Sequence, residues 1–272
     1  MTGPERFDVR EFARTAVGTH RDRLDGAALA AHPLPGDAVR AVRVLRDLEA
    51  ATMDRLRNVL VTATHKDARV TAFLVSWAFE KFWIADALTA VIEAQPEAHL
   101  GAVEATSVTD AAASRGRAER RARRGPVRRS VSGFLAGESI VAVHVTSGLV
   151  DDVMLRASYE RVIEVSGNAE VARALGEVLD LKARHSRFFE EEAVHRLLDS
   201  PRAVRLTRRE LRRDVLPLGA VALSPADRAF FTRFSFAGEI GPTRAQRVAS
   251  SVADLPGMDD GTIRAVQRRL AA

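Results

Sequence analysis

Two four-residue stretches each hold half of a metal-binding pair. Glu80-Lys81-Phe82-Trp83 begins with a carboxylate, and Lys182-Ala183-Arg184-His185 ends with an imidazole. A Glu and a His three residues apart on a helix project from one side, so together they can grip a hard cation. Two such pairs, with one more carboxylate from each of two further helices, are a ligand set for a pair of iron or manganese ions. Here Trp83 stands where the first pair needs His, and Lys182 stands where the second needs Glu. The further carboxylates are Glu49, with Asp47 as second choice, and Asp152 or its neighbour Asp151. Each lies some thirty residues ahead of Glu80 or Lys182.

Lys182 is the most informative of these residues. Of 41 basic side chains only three are lysines, Lys66, Lys81 and Lys182. An ammonium among Glu49, Glu80 and Asp152 replaces part of the charge that two metal ions would bring, and buried charges are tolerated only when paired. That leaves negative charge for one further ion at most. Iron or manganese on Glu49, Glu80, Asp152 and His185 is therefore expected as one ion rather than two. Without metal, Lys182, Glu80 and His185 remain as acid–base or ligand-binding groups. Trp83 is expected to fill the vacated ligand position as a core residue.

Helices must position these side chains. Apolar residues recur every three or four positions over 37–64, and 67–94 is apolar around most of its circumference. Residues 137–167 and 169–200 form two more long segments, separated at Gly167-Asn168 and ended by Pro201. The fold class is all-α: a bundle over 37–200 with short first and last connections and a long crossover between its second and third helices. Residues 1–36 are expected as an N-terminal helical segment. Residues 201–272, broken by Pro and Gly, are expected as a C-terminal helical appendage.

This layout resembles the ferritin-like superfamily of di-iron carboxylate proteins. The strongest part is LVDDVMLRASYERVIEVSGNAEVARALGEVLDLKARHSRFF, with its acidic residue, its Tyr and its terminal His-x-x-Phe-Phe. The resemblance implies a ferritin-like four-helix bundle of oxidase or oxygenase descent, an oxidoreductase acting on a small organic or acyl-type substrate in the bundle core. It also admits a metal-free enzyme or binding protein, since some ribonucleotide reductase small subunits resemble this arrangement in lacking metal and placing Lys among former ligands. A non-catalytic interaction protein is the third reading. A homodimer is compatible with all three.

Composition bounds the rest. With no cysteine in 272 residues, disulfides and thiolate chemistry are excluded. No apolar run approaches the ~20 residues of a membrane span. The polar N-terminus lacks a signal-peptide core, so a cytoplasmic protein without a membrane partner is expected. The net charge of +5 is dominated by 114–130, with eight Arg and one Glu. That loop reads as a site for an acidic partner or as a solvated connection, because its composition cannot bury apolar area. Limited trypsin digestion is expected to cut first between Arg115 and Arg129. Earlier cleavage within 37–95 would show the bundle to be misassigned.

Overall fold

The computed structural model describes residues 6–96, 137–213 and 217–270, and among them all regular structure is helical. The Arg-rich loop 114–130 lies outside the described residues. Four elements form the core: α3 (Gly36–Ala50), α5 (Ala68–Glu93), α6 (Ser139–Ser166) and α7 (Ala169–Asp199). Preceding or interrupting them are α1 (Val9–Arg14), α2 (Gly26–Ala31) and α4 (Thr52–Leu60). After them come α8 (Pro201–Arg213), α9 (Pro225–Ser235), α10 (Gly241–Ala253) and α11 (Asp260–Leu270).

Local chemistry sets most of these boundaries. Asp67 caps α5 by accepting from the Val70 N–H at 2.9 Å. Gly167 ends α6 in the left-handed region, at φ 59°, where a side chain would be strained. Asn168 then caps α7 through the Glu170 and Val171 N–H groups, so the α6–α7 hairpin turns within two residues. Its side-chain nitrogen also donates to the His32 carbonyl at 2.9 Å. Pro201 occupies the first position of α8, where its missing N–H costs nothing.

The core helices pack α3 on α5, α6 on α7 and α3 on α6, with α5 and α7 touching only lightly. Helix α6 is enclosed further by α8, α9 and α10, so it buries nearly its whole circumference. At Gly148 it admits the Phe189 ring so closely that a Cβ would lie 2.6 Å from a ring carbon.

One expectation needs correction. The stretch 37–64 is not one helix: it bends at Ala51, whose ψ of −9° opens the turn between α3 and α4, and it ends in a 3₁₀ turn at Ala63–Lys66. Residues 6–35 hold α1, a 3₁₀ turn at Arg21–Arg23 and α2, joined by irregular segments, and they run as a strap over the groove that α5 and α7 leave open. Phe7 and Phe12 drive it in. Phe12 stacks on Phe73 at 4.9 Å, and Phe7 meets Phe188 edge-on at 5.4 Å. Burying each ring stabilises by roughly 1.5–3 kcal/mol. Polar side chains then pin the strap along its length. The Phe7 N–H donates to Glu191 at 2.7 Å, the Val17 N–H to Glu80 at 2.9 Å and the Leu34 N–H to Gln95 at 2.8 Å.

Candidate functional site

Glu49 lies in the last turn of α3, where the negative end of the helix dipole disfavours a carboxylate. Two ammonium groups compensate. Lys182 Nζ sits 3.1 Å from its Oε1, and Lys81 Nζ sits 2.9 Å from its Oε2. Each ammonium has a second carboxylate from α6: Asp152 is 2.8 Å from Lys182, and Asp151 is 3.5 Å from Lys81. An aromatic face completes each environment. Lys81 lies 4.8 Å from the Trp77 ring centre, and Lys182 lies 5.6 Å from that of Tyr159.

The carboxylates use their remaining lone pairs. Tyr159 Oη donates to Glu49 at 2.9 Å. Ser186 Oγ donates to Asp152, and the Leu218 N–H donates to Asp151 at 2.5 Å. All five charged side chains are at most 2 % exposed. A compact ammonium with three donors fits among carboxylates in a way that a planar guanidinium does not, which accounts for Lys here in a chain that otherwise uses Arg.

Glu80 and His185 form a separate couple. His185 Nε2 is 2.6 Å from Glu80 Oε2, and both residues are fully buried. The Val17 N–H holds the other Glu80 oxygen, and Arg184 stands 3.9 Å from it. His185 Nδ1 is buried without a hydrogen-bond partner. A neutral ring carrying its proton on Nε2 satisfies this geometry, because it leaves a bare acceptor rather than an orphaned N–H in the apolar wall formed by Phe12 and Phe73.

The expected residues thus fall into two groups. Glu49, Asp152 and Lys182 are brought together, as are Glu80 and His185. Glu80 does not share the ammonium with Glu49 and Asp152. Among the described residues no three His, Asp or Glu side chains are grouped as a metal ion needs. Trp83 does not replace a ligand in the cluster: it is half-buried and packs edge-on against Phe82 at 5.2 Å. Asp47, the second choice on α3, pairs with Arg46 and is 44 % exposed.

Sequence reasoning missed Lys81 as a member and named Asp151 only as a substitute for Asp152. The signal for Lys81 was its scarcity, since two of only three lysines sit in this cluster and Lys66 is exposed. Two clefts flank the charged groups, and neither is lined by them. One lies between α5 and α7 beside His20, the other beside Arg55, Trp77 and His144, and each has room for little more than a water.

Titration follows from these contacts. Burial alone would raise the Glu49 carboxyl, but Lys182 and Lys81 override it and hold it down to about 2. Burial raises Asp151 despite Lys81. Burial opposes the charge on Lys182, yet Asp152 and Glu49 raise it above its ordinary 10.5. A depressed carboxyl stabilises the fold above its unfolded value of 4.5, and that contribution is lost as pH falls towards 2. A raised ammonium stabilises below 10.5 and is lost as pH climbs past it. Asp151 has the opposite sign to Glu49 and softens the acid limb. Burial lowers His144 to about 3 and lowers His20 as well, so below about 6.5 the unfolded chain takes up protons that the fold does not. The melting temperature is therefore expected to be flat between about pH 7 and 10 and to fall on both sides. In Lys182→Ala the acid limb becomes shallower, and an unchanged limb would dissociate Glu49 from it.

Comparison with known protein families, with curated proteins and with solved structures finds no match.

Proposed function

We propose that this chain is a ferritin-like bundle that works without metal. In this reading lysine ammonium groups occupy the place of the ions, and the Glu80–His185 couple handles a proton for a small organic or acyl-type substrate. The observation that carries it is the pair Lys81 and Lys182, each within 3.5 Å of two carboxylates that would otherwise be ligands. With their charge already met and a cation between Glu49 and Asp152, these residues do not fit a pair of divalent ions.

His185 is the group suited to proton transfer, and Glu80 orients its ring. Both are covered by the strap, so a substrate reaches His185 Nδ1 only when the strap from Phe12 to Val17 lifts from α5 and α7. An enzyme of this kind is expected to turn over without oxygen or added metal.

Elemental analysis of protein purified without chelators tests the reading. Iron and manganese below a tenth of an ion per chain are expected, on the order of trace occupancy. About one ion per chain would instead favour the single-ion oxidase reading, with Glu80 and His185 as its natural anchors. About two per chain would overturn the assignment of Lys182.

A further inference from the structure

The charge of the chain is less local than the Arg-rich loop makes it look. Residues 201–272 carry 13 basic and 7 acidic side chains, a net +6. With the loop set aside, residues 1–200 carry 20 basic and 28 acidic, a net −8. The appendage is thus a basic body on an acidic bundle, and its basicity concentrates on α8.

Helix α8 has two opposed sides. Ala203, Thr207 and Leu211, spaced by four, are buried against the core. Arg202, Arg205, Arg209 and Arg212, spaced by three or four, share another side and are exposed, and Arg213 extends it. Glu210, the only acid of α8, lies near Arg55 of the bundle. Asp259 sits between Arg212, at 2.6 Å, and Arg208, at 3.2 Å, so one carboxylate faces two guanidinium groups. Arg269 of α11 donates to the Leu211 and Arg212 carbonyls, which brings the exposed Arg268 to the same end. Among the described residues no carboxylate holds Arg205, Arg209, Arg213 or Arg268.

We propose that this face of α8, with the end of α11, binds the phosphate backbone of double-stranded nucleic acid without reading its sequence. From Arg205 to Arg213 the stripe spans ~12 Å at the helical rise of about 1.5 Å per residue, enough to meet consecutive phosphates along a strand. Guanidinium groups suit phosphate oxygens through paired hydrogen bonds. A protein partner would be recognised through a buried apolar or aromatic centre. This face offers none, since Val204 and Leu206 are half-buried beneath the arginines. Unpaired bases would call for exposed aromatic rings to stack on, and α8 and α11 have no aromatic residue. An anionic membrane surface would call for an apolar side free to insert, whereas that of α8 is spent on the core.

Fluorescence anisotropy of the full chain with a labelled duplex of about 20 base pairs tests this, at salt from about 50 to 200 mM. Four phosphate contacts predict a log–log salt slope of about −3.6, hence a loss of roughly 150-fold across that range. Arg205→Gln, Arg209→Gln, Arg213→Gln and Arg268→Gln together should leave the melting temperature unchanged. They should weaken binding at least tenfold and remove most of the slope. A second variant, with the eight arginines between Arg115 and Arg129 replaced by Gln, should keep that slope. No duplex binding by the wild type would overturn the proposal. So would binding that survives the α8 variant and vanishes in the loop variant. Equal or tighter binding of single strands, of a polyglutamate peptide or of phosphatidylserine vesicles would also overturn it, pointing to a different partner.

Discussion

Lys182→Ala is expected to destabilise the protein by about 3–5 kcal/mol, the loss typical when one partner leaves a buried ion cluster. Its Nζ lies between Glu49 and Asp152, at 3.1 and 2.8 Å, with no exposed surface. Removing it leaves two carboxylates facing each other in a site that water does not reach, with Lys81 alone against Glu49, Asp151 and Asp152. The side-chain stem also leaves a cavity, which adds to the loss. Urea unfolding followed by circular dichroism measures it. Ferrous or manganous ions should restore little of the stability, because Lys81 still occupies part of the site. Lys182→Arg tests shape against charge: the larger planar group keeps the charge but not the fit, so it should recover less than half of the loss. A loss below about 1 kcal/mol for Lys182→Ala would mean that the ammonium is solvated, as exposed ion pairs are.

Helix lengths were legible because caps and breakers are local. Asp67 and Gly167 mark ends that the structure places within two residues of the sequence reading, over 68–93 and 139–166. The bend at Ala51 was not legible, since apolar spacing runs unbroken from Leu48 to Leu56 across it. Nor was the course of the strap over α5 and α7, which is set by rings that only a finished groove can receive.

The site was half legible for a related reason. On α5 the polar pair Glu80-Lys81 points inward, while Phe79 and Phe82 are 46 and 55 % exposed. Hydropathy predicts the reverse. A Lys beside a Glu on a helix reads as a solvated pair until a carboxylate from another helix is known to face it. Glu49 lies 32 residues before Lys81, and sequence spacing cannot say which of two adjacent side chains meets it. The count of positive charges in the cluster was therefore one too low.

Glu80→Ala should have the second large effect, and a different one. Glu80 accepts from the Val17 N–H at 2.9 Å and meets His185 Nε2 at 2.6 Å, so it ties the strap to α5 and α7 at once. Alanine leaves a half-buried backbone N–H and a buried ring nitrogen unpaired, the buried one costing about 1–3 kcal/mol and the other less, so a loss of roughly 3 kcal/mol in global stability is expected. The local consequence is larger than the global one. The segment between Thr15 and His20 has few other anchors, one being Arg184 to Thr15 at 2.9 Å. It should therefore open well before the bundle unfolds. Trypsin without denaturant should then cut after Arg14, Arg21 or Arg23 in the variant, at sites the wild type protects, while α5 to α7 stay intact. Glu80→Gln keeps an acceptor for Val17 and should retain most of that protection. Should Glu80→Ala be digested at the same sites and rates as the wild type, the strap is held by its phenylalanines alone, and His185 is sealed from substrate by something other than Glu80.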